Sequence, residues 1–325
     1  MQGKEASEQE TQKCIAGIDV SKNWLDAHIL PSSESLRVAN TSVGIRQLKR
    51  WLLKHKVDLV AVEATGRLHR EVYRSLAASQ IAVAVTNPYK VRMFAKAAGI
   101  AAKTDRLDAK VLALFASAMS PVCRPPAPQT LEAIQELITA RASAVKERTA
   151  LKNQRSAATN IFLKAQLRQR INQVAGHIRA IEKECLRLIK ANAGLARRLA
   201  ILTSIPSFGT VVTMTLIAYM SELGTMTIKS AGALAGLAPV ADDSGERQGF
   251  RVIWGGRTKI RTALYLAALS AQSCNNDLRA FYRRLLEKGK APKAARLAVA
   301  RKLLILANTL IAEDRLWQPT RPQTA

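Results

Sequence analysis

Cysteine and histidine are both scarce in this sequence, and their spacing excludes several classes of protein. The 325 residues include four histidines and four cysteines, Cys14, Cys123, Cys185 and Cys274. No CxxC pair occurs and no histidine pair lies near a cysteine, which argues against a zinc site and a disulfide scaffold. The few, dispersed cysteines fit a protein of the reducing cytoplasm.

Long apolar runs are also missing. No stretch approaches the ~20 residues that a membrane span needs, so we expect no membrane partner. Residues 1–13 mix both charges around no apolar signal core and are predicted to be a disordered tail. Hydrophobic residues still make up 48% of the chain, which indicates a globular protein with more than one core.

Acidic residues are outnumbered, with 24 Asp and Glu against 50 Lys and Arg and a net charge of +26. The excess is +7 over residues 1–110, +10 over 111–200 and +9 over 201–325, so no single basic tail accounts for it. A positive field of this extent favours a long polyanion such as DNA or RNA. The alternative is a basic protein that assembles with acidic partners.

Residues 14–120 are predicted to form an α/β domain with a mixed sheet. The strand patterns CIAGIDVS, NWLDAHILP and SLRVAN follow one another across short polar turns, as in an antiparallel sheet. DLVAVEA and IAVAVTNP then alternate with helical patterns. KTDRLDAKVLALFASA is predicted to be the last helix of the domain, with Thr104 as its N-cap.

The rest of the chain is predicted to be mainly helical. Residues 121–129 are rich in proline and predict a linker. Residues 130–200 contain no proline and repeat apolar residues at helical spacing, which predicts one or two long helices. A coiled-coil hairpin interrupted near Ala175–Gly176 is one such arrangement. Residues 201–318 are predicted to be an α domain in which IPSFG joins two helices as a helix-hairpin-helix element, followed by a tail over 319–325.

Four carboxylates stand where an apolar residue would be less costly. Asp19 lies within the apolar strand GIDVS, Glu63 ends LVAVEA, and Asp105 and Asp108 are three residues apart on one helix face. Singly, each has a structural explanation, such as a turn, an ion pair or a first-turn acid. Together, and in this order, they match the layout of the ribonuclease H-like fold, whose carboxylate tetrad binds two metal ions.

The residues around these acids resemble a known family. GIDVSK (17–22), EATG (63–66), NPYKVRMFAKA (87–97) and KTDRLDA (103–109) are similar to the N-terminal RuvC-like domain of the insertion-sequence 110 family of DEDD transposases, relatives of the Piv DNA invertase. IPSFG, AGALAGLAPV, the DSG loop and GGRTKIRTALYLAALSA (255–271) resemble that family's second, transposase domain. The resemblance covers nearly the whole chain in the same order.

The resemblance implies a DNA recombinase with a composite active site. It implies that the four acids bind Mg²⁺, two ions per site, and that Ser244 in ADDSGERQG attacks a DNA phosphate to form a phosphoserine link. It also implies three kinds of partner: target and donor DNA, a structured guide RNA, and further copies of the chain. The copies would form a dimer or tetramer in which the serine of one protomer lies beside the tetrad of another. From the residues alone, Ser244 followed by glycine indicates a turn, and no histidine is near it in sequence to activate it.

Basic residues after the serine are candidate nucleic-acid contacts because they could offset phosphate charge. They are Arg247, Arg251, Arg257, Lys259 and Arg261. Two departures from the family pattern stand out: Ser207 replaces the first glycine of the hairpin turn, and two aspartates precede Ser244 where basic residues are common. Trp254 is expected to be an aromatic anchor in the core, and the alternative is that it stacks on a base.

Two other functions fit parts of the pattern. A RuvC-like nuclease or junction resolvase would use water as the nucleophile and leave Ser244 as a loop residue. A non-catalytic RNA- or DNA-binding scaffold would not need the carboxylates, and the presence of all four disfavours it. The leading hypothesis is a mobile-element transposase that acts in the prokaryotic cytoplasm, at the nucleoid.

Overall fold

The computed structural model describes residues 13–64, 66–100, 105–240 and 252–319, apart from the side chains of residues 105–107 and 240. The chain divides into two compact units between Ala127 and Pro128. The finer domain limits given above remain predictions. No helix among the described residues is both long enough and apolar enough to cross a membrane.

A five-stranded mixed sheet forms the centre of the first unit. Its strands are β1 (Ile15–Val20), β2 (Trp24–Leu30), β3 (Ser35–Ala39), β4 (Leu59–Glu63) and β5 (Val83–Thr86). Their order is β3-β2-β1-β4-β5, with β1, β2 and β3 antiparallel and with β4 parallel to both β1 and β5. This topology confirms the predicted α/β class with a ribonuclease H-like mixed sheet.

Four helices complete the first unit: α1 (Ser42–Lys54), α2 (His69–Ala77), α3 (Pro88–Ala97) and α4 (Asp105–Met119). Side chains fix two of their starts. Thr41 caps α1 by accepting a hydrogen bond from the Gly44 amide, and Asn87 caps α3, where proline occupies the first helical position. The predicted cap of α4, Thr104, lies outside the described residues.

The helices cover both faces of the sheet. On one face, alternate strand residues such as Ile18 and Val62 pack with Leu48 of α1 and Leu76 of α2. The opposite face packs against α3 and α4 through a smaller apolar cluster, whose buried members are Ile15, Ala61, Val91, Val111, Leu112, Phe115 and Ala116. The central strand β1 is therefore buried from both sides, and any polar side chain on it lies under a helix or at an edge.

Two long helices, α5 (Gln129–Ala157) and α6 (Ile161–Lys190), begin the second unit as a hairpin. The break between them is at residues 158–160, where Asn160 caps α6 by accepting from the Leu163 amide. The predicted interruption near Ala175–Gly176 is wrong, because both residues lie inside α6. One glycine costs a helix only about 1 kcal/mol, which the packing of the hairpin outweighs.

The remaining elements are mostly helices. They are α7 (Ala193–Ser204), α8 (Thr210–Tyr219), α9 (Ile228–Leu234), β6 (Pro239–Val240), β7 (Val252–Ile253), α10 (Thr258–Cys274), α11 (Asn276–Glu287) and α12 (Pro292–Ala312). α8 is apolar on all sides and is buried from Thr213 to Ala218. It packs with α10 and α12 in a core that also takes Ile134 and Ile138 of α5. The predicted mainly α C-terminal part is confirmed.

Candidate active site

Asp19 and Glu63 are neighbours at one end of the sheet. β1 and β4 run parallel with Ile18 aligned to Val62, so the next residue along each strand is one of the two acids. Because side chains alternate along a strand, both acids share the face of Gly17 and Ala61. Both are partly buried. The strand register alone therefore brings two of the four predicted acids together.

α4 crosses this face with its first turn at the same end. Gly17 allows a close approach: a Cβ there would lie 2.1 Å from the carbonyl oxygen of Ala109. Ile15, at the start of β1, packs in one cluster with Ala116, in the second half of the helix. α4 thus runs antiparallel to β1. Asp108, in its first turn, lies toward the end of the strand that carries the acids.

The donor chemistry of these residues fits a divalent metal, because carboxylate oxygens are the ligands that Mg²⁺ takes. Among the described side chains, no group of three or more His, Cys, Asp or Glu could hold a metal ion. The backbone of Asp105 begins α4, but its side chain is not among those described. The structure brings Asp19 and Glu63 together and the first turn of α4 to the same end, and the complete tetrad remains a prediction.

Two buried polar residues of β2, Asp26 and His28, share this face and were missed in the sequence. Asp26 is directly opposite Asp19 across the β1–β2 pair and is only 3% exposed. His28 is opposite Gly17, and its Nδ1 lies 2.9 Å from Ser35 Oγ. Burial lowers the pKa of His28, and the positive charge of Lys110 on α4 lowers it further. The signal was available, because WLDAHIL alternates its polar and apolar residues.

The loop that holds Ser244 lies outside the described residues, as do Arg247 and Arg251. Its two ends are described: β6 and β7 pair antiparallel, with Pro239 opposite Ile253 and Val240 opposite Val252. The pairing holds the two ends of the loop side by side.

A glycine contact supports this pair of strands. Gly236 and Gly256 both have a positive φ, 67° and 68°. A Cβ on Gly256 would lie 2.2 Å from the Gly236 amide nitrogen, so only glycine fits there. Arg261 donates from Nη1 to the carbonyl oxygen of Gly255 at 2.8 Å. We call the β6–β7 pair with these glycines the loop frame.

The basic residues that follow the loop have partners within the fold. The guanidinium of Arg257 donates to both carboxylate oxygens of Glu222, each at 2.7 Å, and to the carbonyl oxygen of Tyr219, also at 2.7 Å. Lys259 Nζ donates to Tyr219 Oη at 2.7 Å and to Thr139 Oγ1 at 2.9 Å. These two cations hold α10 to other helices, and a role in nucleic-acid binding stays a prediction for them and for Arg261.

Two further expectations concern single residues. Ser207 has a φ of 84°, the left-handed conformation that the glycine of a hairpin turn would adopt. Its Oγ is buried and has no hydrogen-bond partner among the described residues. Trp254 is 69% exposed, so the expectation of a core anchor is wrong. The two-residue strand before it offers no sheet face on which the indole could be buried.

Comparison with known proteins agrees with this architecture. The DEDD transposase profile of the IS110 family, described as a transposase, matches residues 16–162. The profile described as "Transposase IS116/IS110/IS902 family" matches residues 199–283. The two matches follow one another along the chain and together span both units.

Individual relatives match over nearly the full length. The pilin gene-inverting proteins of Moraxella bovis and Moraxella lacunata are each 26% identical over 318 residues, which cover 93% of this chain and 97% of theirs. Among solved structures, Thermus thermophilus RuvC in complex with a Holliday junction matches 34% of this chain and 98% of its own, with 16% identity and a TM-score of 0.25. A likeness of that size adds nothing to the topology described above.

The two profiles in order, with relatives aligned across both units, settle the assignment. This chain belongs to the insertion-sequence 110 family of transposases, and it is an enzyme that cuts and rejoins DNA.

Proposed function

We propose that this protein recombines DNA at a Mg²⁺-assisted composite site in which Ser244 is the nucleophile. The observation that carries the proposal is the neighbouring position of Asp19 and Glu63, at the end of the sheet that the first turn of α4 reaches. Asp105 and Asp108, in that turn, complete the tetrad. Membership of a DEDD transposase family supports this assignment of the four acids.

The tetrad would hold the divalent ions through its carboxylate oxygens. When bound, Mg²⁺ would polarise the phosphoryl oxygens of the DNA and offset the charge that develops on them. Ser244 Oγ forms the new bond to phosphorus, and the bond from phosphorus to a deoxyribose oxygen breaks. The serine hydroxyl loses a proton and the departing hydroxyl gains one. Attack by the hydroxyl of the exchanged strand then restores the phosphodiester and frees the serine.

The partners in this proposal are target and donor DNA, a structured guide RNA and further copies of the chain. The net charge of +26 supports nucleic acid as the ligand, because phosphate contacts release counterions. We propose that the serine of one protomer acts at the tetrad of another, in a dimer or tetramer. Four free cysteines support action in the reducing cytoplasm, where the DNA is.

The test is a strand-transfer assay with end-labelled donor and target DNA, Mg²⁺, and RNA transcribed from the non-coding flank of the gene. Wild type is expected to form a protein–DNA adduct that survives denaturation, and recombined product. Ser244→Ala and Asp105→Asn are expected to lose both. Matched controls are Ser273→Ala, an exposed serine of α10, and Asp277→Asn, another first-turn helix acid; both should retain activity.

Each part of the proposal has its own contrary result. If wild type cleaves DNA without forming an adduct, and Ser244→Ala still cleaves, the RuvC-like nuclease with water as nucleophile is favoured. Full activity of Asp105→Asn, or activity in excess chelator, would remove the metal tetrad. Recombination at the wild-type rate after ribonuclease treatment would remove the guide RNA.

A further inference from the structure

Asp26 is a buried carboxylate at a position where a negative charge destabilises the fold. It lies on β2 directly opposite Asp19, so the Cβ atoms of two acids are about 5 Å apart on the same face. Like charges opposite one another destabilise a sheet, and a buried charge is costly unless it is paired. With an exposure of only 3%, Asp26 is shielded from the water that would otherwise offset its charge.

Arg37 is the residue that compensates this charge. It lies opposite Asp26 on β3, and its Nε is 3.2 Å from Asp26 Oδ1. The guanidinium also lies over the indole of Trp24, 5.3 Å from the ring centroid, which restricts its position. The three neighbouring strands therefore carry, in one row, Asp19, Asp26 and Arg37.

This row of charged residues stabilises the fold less than apolar residues would, but its carboxylates are suited to binding a cation. A valine or threonine at position 26 would avoid the charge repulsion and the burial cost. Arg37 pairs with Asp26 from β3, the strand on the side of β2 away from β1. The end of β1 thus keeps two neighbouring carboxylates, Asp26 on one side of Asp19 and Glu63 on the other.

We infer that Asp26, fixed by Arg37, is a positioning residue that strengthens divalent-cation binding at Asp19. The inference rests on the proposed function, since it takes Asp19 to be a metal ligand. Asp26 adds negative potential beside that ligand. Arg37 limits this potential. Removing the two side chains should therefore change cation affinity in opposite directions.

The experiment measures Mn²⁺ binding by the full-length protein, through the electron paramagnetic resonance signal of free Mn²⁺. Asp26→Asn is expected to weaken binding about ten-fold, as loss of an outer-sphere partner does. Arg37→Gln is expected to bind more tightly than wild type, because it removes a positive charge beside the site. The matched control is Asp314→Asn, which breaks an Arg–Asp pair with an N–O distance of 2.8 Å in the second unit and should leave binding unchanged.

The outcomes separate this inference from the proposed function. If Asp19→Asn binds Mn²⁺ like wild type, the metal site itself is wrong. If Asp19→Asn loses binding while Asp26→Asn stays within two-fold of wild type, only the positioning role is wrong. If Asp26→Asn does not fold, Arg37→Gln decides alone: tighter binding would support the inference, and unchanged or weaker binding would mean that the pair is merely structural.

Discussion

The contact between β1 and α4 makes a sharp prediction for Gly17→Ala. The added Cβ would lie 2.1 Å from the carbonyl oxygen of Ala109, 2.5 Å from the amide nitrogen of Ala113 and 2.8 Å from Leu112 Cβ. Two of these atoms belong to the main chain, so no side-chain rotation relieves the clash. α4 must retreat by roughly 1 Å. Overpacking on this scale costs about 3 kcal/mol of unfolding free energy.

The melting temperature gives the measurement. The first unit ends at Ala127, and a domain of this size loses roughly 4 °C per kcal/mol, so Gly17→Ala is expected to melt about 10 °C below wild type. Differential scanning calorimetry of the full-length protein measures this shift. Gly176→Ala is the matched control. Inside α6 its Cβ would meet only Arg179 Nη2, at 4.0 Å, and the change should stabilise the helix by about 1 kcal/mol.

Activity supplies a second readout of the same contact. α4 carries Asp108, and its retreat moves that acid away from Asp19. Strand cleavage by Gly17→Ala should therefore fall even at temperatures where calorimetry shows the unit folded. A variant that melts within 2 °C of wild type would refute the close approach of α4, and with it the placement of the first turn beside the acids.

Three further predictions follow from single contacts. Arg257→Met should lower the free energy of unfolding by about 2 kcal/mol; in urea titrations its effect and that of Glu222→Gln should not add, and additivity would contradict the pairing. Burial raises the pKa of Cys185 to about 11 from 9.0, so at pH 8 iodoacetamide should label the exposed Cys274 but label Cys185 only in urea, as peptide mapping would show. Because the folded-state pKa is the higher one, this thiol's contribution to stability is complete below pH 9 and lost between pH 9 and 11, which urea titrations at both pH values would detect. Gly256→Ala, at a φ of 68° and 2.2 Å from a facing amide nitrogen, should lower the melting temperature of the second unit and abolish cleavage; an unchanged melting curve would contradict the loop frame.

The sheet was predictable because its strands carry strong local signals. Each strand has its own alternation of apolar residues and is bounded by turn residues. The strand order then follows, because three antiparallel strands come first and the next two alternate with helices. The hairpin break was misplaced because Gly176 is conspicuous in sequence. The true turn lies at residues 158–160, where Asn160 caps α6. In the sequence this asparagine cannot be told apart from the other polar residues of the segment.

The partners of the basic residues could not be predicted. Lys259 bonds to Thr139, 120 positions earlier in the chain, and Arg257 to Glu222, 35 positions earlier. When the carboxylate or hydroxyl partner of a cation is far away in the sequence, the cation looks available for phosphate. In the same way Asp26 attracted no notice in the sequence, and only the strand register shows that it faces Asp19.

The loop frame lies between the core of the second unit and the loop that carries the proposed nucleophile. β6 and β7 hold residues 240 and 252 side by side, so the two ends of the loop are joined by backbone pairing within the second unit. We therefore expect substitutions between these two points to affect activity more than folding. Libraries of that loop could be screened for altered recombination, with the melting temperature of each variant as the check on folding.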